Sequence, residues 1–462
     1  MHRFLCALLA AAVSVSYGSQ SPRGNVSLVV TGGTVVTVDG TGRVLSSAAV
    51  AIDGRDIVAV DAAAAIAQRF TAARTIDATG QVVLPGLINT HTHAPMVLYR
   101  GLADDLALME WLQKYIFPAE ARTVSPAFVR AGTRLAALEM IQSGTTTYAD
   151  MYYFEEEIAR ATREAGIRGV LGQTIIQFPV PDAKTPADGI ARATEFIRQW
   201  KNDALIVPAI APHSMYTLDV ESLKSIRAVA DRERAPLIIH LAETADEVKI
   251  ARDKYQATPT EFLDSIGAFS GRTVAAHGVH LTPGDIKVLA QRRVGVSHNP
   301  ESNMKLASGT APVPALQAAG VAVGLGTDGA ASNNDLDMFE AMRVAALLHK
   351  HTSNDPRALP AASAIKMATI DGARALGMER EIGSLEPGKR ADLILVSMSA
   401  ARQTPMYDPL SHLVYVTRGD DVRTVIVNGT VVMQDRRVLT LNEKAVLDEA
   451  AVWAAKVREA VK

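Results

Sequence analysis

The chain has 462 residues, 48% of them hydrophobic, enough for a large core and more than most single domains hold. Basic and acidic residues nearly balance, for a formal net charge of -2, and the basic ones form no block. No nucleic-acid surface or polybasic membrane patch is therefore expected.

Residues 1–20, MHRFLCALLAAAVSVSYGSQ, read as a signal peptide. Arg3 gives a positive start, Phe4 to Val15 is an apolar run too short to span a bilayer, and small residues around Ser16 and Gly18 suit a cleavage site. The expected location is periplasmic or secreted; a misassigned start would make it cytoplasmic. The single cysteine, Cys6, falls inside this segment. The mature chain is then expected to have no disulfide and no thiolate chemistry, and no contact with a membrane.

Residues 21–85 are rich in Val, Thr, Gly and Asp. SLVVTGGTVVTVDG and AAVAIDGRDIVAV read as short strands with turns at Gly32-Gly33, Asp39-Gly40 and Asp53-Gly54. Residues 386–440 have the same texture, with ADLILVSM as a strand and a hairpin at Asn428-Gly429. The two flanks together predict one small β-sandwich domain, followed over 441–462 by a helix, read as 443–460. Between them, residues 86–385 alternate short apolar runs with helical stretches such as Ala127–Gln142, Phe154–Ala165 and Pro314–Ala319. Alternating β and α over ~300 residues predicts an α/β fold, a (β/α)8 TIM barrel. An open doubly wound sheet is the weaker reading, because no Gly-rich phosphate fingerprint follows an early strand.

The histidines show a pattern. His91 and His93 end the first barrel strand, in LINTHTHAPM. His213, His240, His277 and His298 end later strands, and Asp328 ends VAVGLGTD. A TIM barrel builds its active site at this face from the ends of several strands. Residues two apart on a strand face the same side, so His91 and His93 can point together into the barrel mouth. Imidazoles and a carboxylate suit a borderline divalent cation, zinc above all. Three histidines and one aspartate leave a place for water, whose pKa such a cation lowers. Glu243 and His277 then remain for proton transfer and for orienting the nucleophile.

PGLINTHTHAPM, IIHLAET, AAHGVHL, SHNPESNMKL and GLGTDGAASNND, in this order, resemble the amidohydrolase superfamily. More narrowly they resemble its 5-methylthioadenosine/S-adenosylhomocysteine deaminases and the related chlorohydrolases, over about residues 26 to 440. The resemblance implies that His91, His93, His240 and Asp328 hold one Zn2+, with Fe2+ or Mn2+ as substitutes. It implies hydrolytic loss of ammonia from an aminated purine nucleoside: 5-methylthioadenosine, adenosine or S-adenosylhomocysteine. Asp328 would take the proton of the attacking water, Glu243 would protonate the ring nitrogen, and His277 would orient or polarise the nucleophile. Two-metal relatives bridge their ions with a lysine on the fourth strand; ALIVPAIAPHSMY has none, which favours one metal. A homo-oligomer is compatible with the family.

At the substrate end the resemblance places Trp111 and Glu120, in MEWLQKYIFPAE, against the nucleoside. Glu120 would accept hydrogen bonds from the ribose hydroxyls. His213 and Ser332 are further candidates for ribose or base contacts. Some deaminases carry an arginine after the strand that here reads GVLGQTI, where this chain has Gln173. Glutamine lacks the cationic fork that grips a carboxylate, so weak use of S-adenosylhomocysteine is expected unless Arg192 substitutes. The alternative reading is a hydrolase of another heterocycle on the same fold, such as a chloro- or amino-triazine, guanine or a pterin. SHNPESNMKL also carries Asn303 and Lys305, whose roles the sequence leaves open.

Overall fold

The structure, a computed structural model, describes residues 23–461. The expected signal peptide over 1–20, with Cys6, lies outside the described residues. Two sheets organise the rest. The first strands are β1 (Gly24–Val36), β2 (Val44–Asp53), β3 (Asp56–Ala62), β4 (Phe70–Asp77) and β5 (Gln81–Pro85). The barrel strands follow: β6 (Leu87–Thr92), β7 (Thr145–Tyr152), β8 (Arg168–Ile175), β9 (Ile206–Pro212), β10 (Leu237–Leu241), β11 (Thr273–His277), β12 (Gly295–His298) and β13 (Val323–Leu325). The chain then returns to the first sheet with β14 (Leu393–Ser397), β15 (Val422–Val427), β16 (Thr430–Gln434) and β17 (Arg437–Val438).

Both chain ends build one β domain, as expected. Its strands form a single nine-stranded mixed sheet in the order β17-β16-β15-β14-β5-β1-β2-β3, with β4 also pairing to β1. Val50 and Ile57 from the first flank share one buried core with Leu393 and Ile426 from the second. The turn expected at Gly32-Gly33 is instead a bulge inside β1. The register shifts on both sides of Gly33, and Gly32 takes φ +87, a value that costs glycine little. The bulge has a purpose in the sheet: before it β1 pairs with β4, and after it with β5. The hairpins expected at Asp53-Gly54 and Asn428-Gly429 do join β2 to β3 and β15 to β16. A short helix, Ala63–Arg69, interrupts the region read as strands alone.

The second sheet is the expected barrel. Its eight strands run in sequence order from β6 to β13, and every pairing along that path is parallel. The seam between β13 and β6 closes through the segment after β13. The Asp328 amide donates to the His91 carbonyl at 2.9 Å, Thr90 Oγ1 donates to the Leu325 carbonyl at 2.9 Å, and Asn89 Nδ2 donates to Thr327 Oγ1 at 2.7 Å. The helices read from the sequence form with small shifts, as Pro126–Gln142, Glu155–Ala165 and Val313–Ala318. Ser125 caps the first of these through the Phe128 amide. The terminal helix, Glu443–Ala460, packs Trp453 edge-on against Phe128 of Pro126–Gln142 at 5.4 Å. Among the described residues, no helix is long and apolar enough to cross a membrane.

Candidate active site

The site lies at the C-terminal ends of the barrel strands. Parallel strands place all those ends on one face, so residues far apart in sequence meet there. His91 is the last residue but one of β6 and His93 follows the strand; His240 is in β10, His277 ends β11, and Asp328 lies three residues beyond β13. His91, His93 and His240 bring ring nitrogens within 4.8 Å of one another, as do the nearest ligand atoms of His91, His277 and Asp328. Asp328 Oδ1 stands 3.4 Å from both His91 Nε2 and His93 Nε2.

Hydrogen bonds outside this cluster fix which nitrogen faces in. His93 Nδ1 is 2.6 Å from the Met151 carbonyl and His240 Nδ1 is 2.8 Å from the His213 carbonyl. A carbonyl only accepts, so both Nδ1 atoms carry the proton and both Nε2 atoms present lone pairs. Those two Nε2 atoms face each other at 3.3 Å. His91 is buried, and among the described residues neither of its ring nitrogens makes a hydrogen bond, Asp328 Oδ1 approaching Nε2 only to 3.4 Å. Facing lone pairs and an orphaned imidazole are costly without a positive charge between them. Burial lowers the pKa of His91 to about 4 and pushes His240 well below the usual histidine range, which disfavours a proton on either ring. A cation with three nitrogen donors and one carboxylate oxygen fits the donor set.

Asp328 and His277 are held from behind. Asp328 Oδ2 accepts from Ser302 Oγ at 2.6 Å and from Ser332 Oγ at 3.0 Å. Burial alone would raise its pKa, but His91, His277 and His93 together hold it well below the carboxylate range. His277 Nδ1 is 2.9 Å from Asn303 Oδ1, which leaves Nε2 directed at Glu243 Oε2, 3.8 Å away. Burial opposes a charge on His277, yet Glu243, Asp328 and the Asn303 hydrogen bond outweigh it and raise its pKa. Both His277 and Asp328 hold positive φ, +74 and +62. Such strain in non-glycine residues persists only where the surroundings impose it. Gly326 makes room at this point: a Cβ there would lie 2.4 Å from Asn299 Oδ1 and 3.0 Å from the His91 Cβ.

Glu243 sits two residues past β10. Burial raises its pKa, with the nearby His277 working against the rise. Glu247, one helical turn on, accepts the Ala242 amide on Oε1 at 2.9 Å and the Glu243 amide on Oε2 at 3.0 Å. This clamp sets the backbone from which Glu243 projects. Sequence reasoning passed over Glu247, although its spacing from Glu243 within a helix start was readable.

These groups open into one cavity, whose wall includes His93, His240, Glu243, His277, Asp328 and Ser332. Its roof comes from a segment between β6 and Pro126–Gln142: the short helix Leu108–Trp111, a π-helical turn over Leu112–Ile116, and the helix Phe117–Thr123. Trp111 and Glu120 line the cavity from there, and His213 lines it from the end of β9. Burial raises the Glu120 pKa to about 7, partly countered by the Tyr152 hydroxyl, which donates to Glu120 Oε1 at 2.5 Å. Ser332 faces the cavity while bonded to Asp328, so it is shared between wall and carboxylate.

Two expectations change. Gln173 does not reach the cavity: its amide donates to Asp182 Oδ2 at 2.9 Å and to the Thr174 carbonyl at 3.1 Å, and Thr174 takes the wall position. Alternation along β8 turns the two side chains to opposite sides. His298, at the end of β12, also turns away, with its Nε2 3.1 Å from His349 Nε2 in the helix Met338–Ser353.

The model of the Amidohydrolase family matches residues 82–432, most of the chain. The chain belongs to this family. Members of the amidohydrolase family are metal-dependent, in keeping with the donor set. A 5-methylthioadenosine/S-adenosylhomocysteine deaminase of Syntrophus aciditrophicus is 45% identical over 95% of this chain and 99% of its own length. A 5'-deoxyadenosine deaminase of Methanosarcina mazei is 44% identical over 92% of this chain and 96% of its own. A crystal structure of an adenosine deaminase from Xanthomonas campestris with bound zinc superposes with a TM-score of 0.93 at 41% identity, covering 95% of this chain and all of that one.

Proposed function

We propose that this amidohydrolase is a zinc-dependent deaminase of adenine nucleosides, replacing the amine of the base by oxygen and releasing ammonia. One observation carries the reading: a single cavity joins the cation site and the Glu243–His277 pair to Trp111 and Glu120. The similar deaminases point to the same substrates.

Zinc held by His91, His93, His240 and Asp328 would make hydroxide available near neutral pH; Fe2+ or Mn2+ suits the same donors. Asp328 accepts the proton of the attacking water. Glu243, whose proton burial helps to retain, gives a proton to the ring nitrogen next to the attacked carbon. As the carbon–nitrogen bond breaks, the amine takes the proton held by Asp328 and leaves as ammonia, and the proton of the added hydroxyl returns to Glu243 as the carbonyl forms. His277, with its proton on Nδ1, presents Nε2 to the nucleophile. A displaced chloride needs no proton, whereas an amine does, so a buried acid at Glu243 favours deamination over dechlorination.

At the far end, Glu120 accepts the ribose hydroxyls, and a second, largely apolar pocket shares Glu120, Phe117 and Tyr153 with the first. Phe178, Pro179 and Val180 form its other side. Arg192 is no help to a homocysteine carboxylate here: it pairs with Glu156 at 2.8 Å and approaches Asp182 at 3.4 Å. The 5' side therefore suits uncharged groups.

Ammonia release by the zinc-loaded protein tests this on adenosine, 5-methylthioadenosine, S-adenosylhomocysteine, guanine and an aminotriazine. Adenosine and 5-methylthioadenosine should be turned over, with kcat/KM for S-adenosylhomocysteine roughly tenfold or more lower. Equal or better use of S-adenosylhomocysteine refutes the apolar 5' side; no ammonia from either preferred substrate refutes the deaminase. Glu243→Gln should cost about 10²–10⁴ in kcat, and full activity in that variant would sink its proton-transfer role.

A further inference from the structure

The motif SHNPESNMKL folds into a short helix, Pro300–Lys305, directly after β12. Three of its side chains reach three different parts of the site. Ser302 donates to Asp328 Oδ2 at 2.6 Å, and Asn303 meets His277 Nδ1 at 2.9 Å. Lys305 reaches outward instead. Its Nζ donates to Asp104 Oδ1 at 2.5 Å and to Asn334 Oδ1. Asn334 Nδ2 in turn donates to Asp104 Oδ2 at 3.3 Å, so the three residues form a closed ring.

The ring joins three loops. Asp104 lies four residues before the roof segment that carries Trp111 and Glu120. Asn334 follows Asp328 in the loop that also holds Ser332, and it takes φ +88, a strained value for this residue type unless its contacts impose it. An isolated exposed ion pair contributes little. Here the lysine is mostly covered and both of its acceptors are held by each other.

We propose that Lys305 is a positioning residue: it fastens the roof segment bearing Trp111 and Glu120 to the helix that orients Asp328 and His277. The alignment of the nucleoside over the reacting groups then depends on it. This rests on the deaminase reading above.

The test uses the full zinc-loaded chain and a double-mutant cycle. Lys305→Met should raise KM for adenosine about 5- to 20-fold while kcat changes by less than about threefold and zinc content stays the same. Asp104→Asn, a conservative change in a partly exposed loop, approaches the ring from the other side and should do the same. Because both break one ring, the double variant should be no worse than the worse single one. Effects that multiply, an unchanged KM in both single variants, or a loss confined to kcat or zinc would overturn the proposal. A substrate-free readout keeps it separate from the functional reading: limited proteolysis between residues 101 and 117 should be faster in both variants than in the parent protein. Unchanged cleavage overturns the ring's role even if adenosine is not a substrate. Failure of the parent protein to deaminate adenosine counts against the function alone.

Discussion

In the proposed binding mode Glu120 would tie substrate binding to pH. Its carboxyl is buried in the cavity wall, and desolvation lifts its pKa to about 7 despite the hydrogen bond from Tyr152. Below that value the group is neutral and carries its own proton, so it is a poor acceptor for two ribose hydroxyls. Above it the carboxylate would accept from both in the proposed binding mode. KM for adenosine should therefore fall several-fold as pH rises from about 6 to about 8. Glu120→Gln should remove this dependence and leave KM high throughout, measured by initial rates across that range. A pH-dependent KM that survives in Glu120→Gln would assign the effect elsewhere. Stability carries the opposite sign. The native state binds this proton more tightly than the unfolded chain, so the group's contribution is full below the ordinary glutamate pKa. It is lost as pH rises through about 7.

At the scale of elements, strand ends were the most legible feature, because a metal site leaves histidines and a carboxylate at fixed places in an alternating β/α pattern. His91, His93, His240, His277 and Asp328 were readable for that reason, and the structure brings them together. The side chains that hold them were harder to see. Ser302 and Asn303 lie in a six-residue helix whose orientation depends on how the loop leaves its strand, and no periodicity reports that. Gln173 failed for a related reason: one residue of alternation in β8 decided whether it or Thr174 met the cavity. His298 satisfied the strand-end pattern yet packs against His349, since a strand end has an outer side as well as an inner one. The long β1 was read as two strands because a glycine pair marks a turn as readily as a bulge. The seam of the barrel was not visible in sequence at all. There Asn89 spans the gap, donating to Thr327 Oγ1 at 2.7 Å and accepting the Thr327 amide on Oδ1 at 3.1 Å. Asn89→Ala would leave both Thr327 groups buried without these partners. A loss of about 2–4 kcal/mol is expected, read from urea unfolding. Because Asp328 follows Thr327 directly, zinc affinity should weaken as well. A stable variant with unchanged zinc affinity would mean the bonds from Asp328 to His91 and from Thr90 to Leu325 suffice to close the seam.

At the scale of the molecule, the β domain and the barrel are joined at the end of the barrel opposite the site. Arg168 opens β8 and Asp392 immediately precedes β14; both side chains are almost fully buried, with Nε–Oδ2 at 3.1 Å and Nη2–Oδ1 at 3.3 Å. Arg168 also donates to the Ala204 carbonyl, and Asp392 Oδ1 accepts the Asn428 amide of the β15–β16 hairpin at 2.6 Å. The pair is thus a junction between the two sheets and a local support for a turn. Asp392→Asn keeps the shape but strips the charge facing a buried guanidinium, which cannot shed its proton. Removing one partner of a buried pair costs about 3–5 kcal/mol. The urea midpoint should fall accordingly, while KM and zinc content hold, because the N-terminal face of a barrel governs stability and the C-terminal face chemistry. Replacing the pair together, with Arg168→Met and Asp392→Leu, removes the uncompensated charge. It still leaves the Asn428 amide without its acceptor, so recovery should stop about 1–3 kcal/mol short of the parent protein. Complete recovery would show that the hairpin amide finds another partner and that the ion pair acts only between the sheets. A double variant as unstable as Asp392→Asn would show instead that the hairpin bond, not the charge pair, is what the junction depends on.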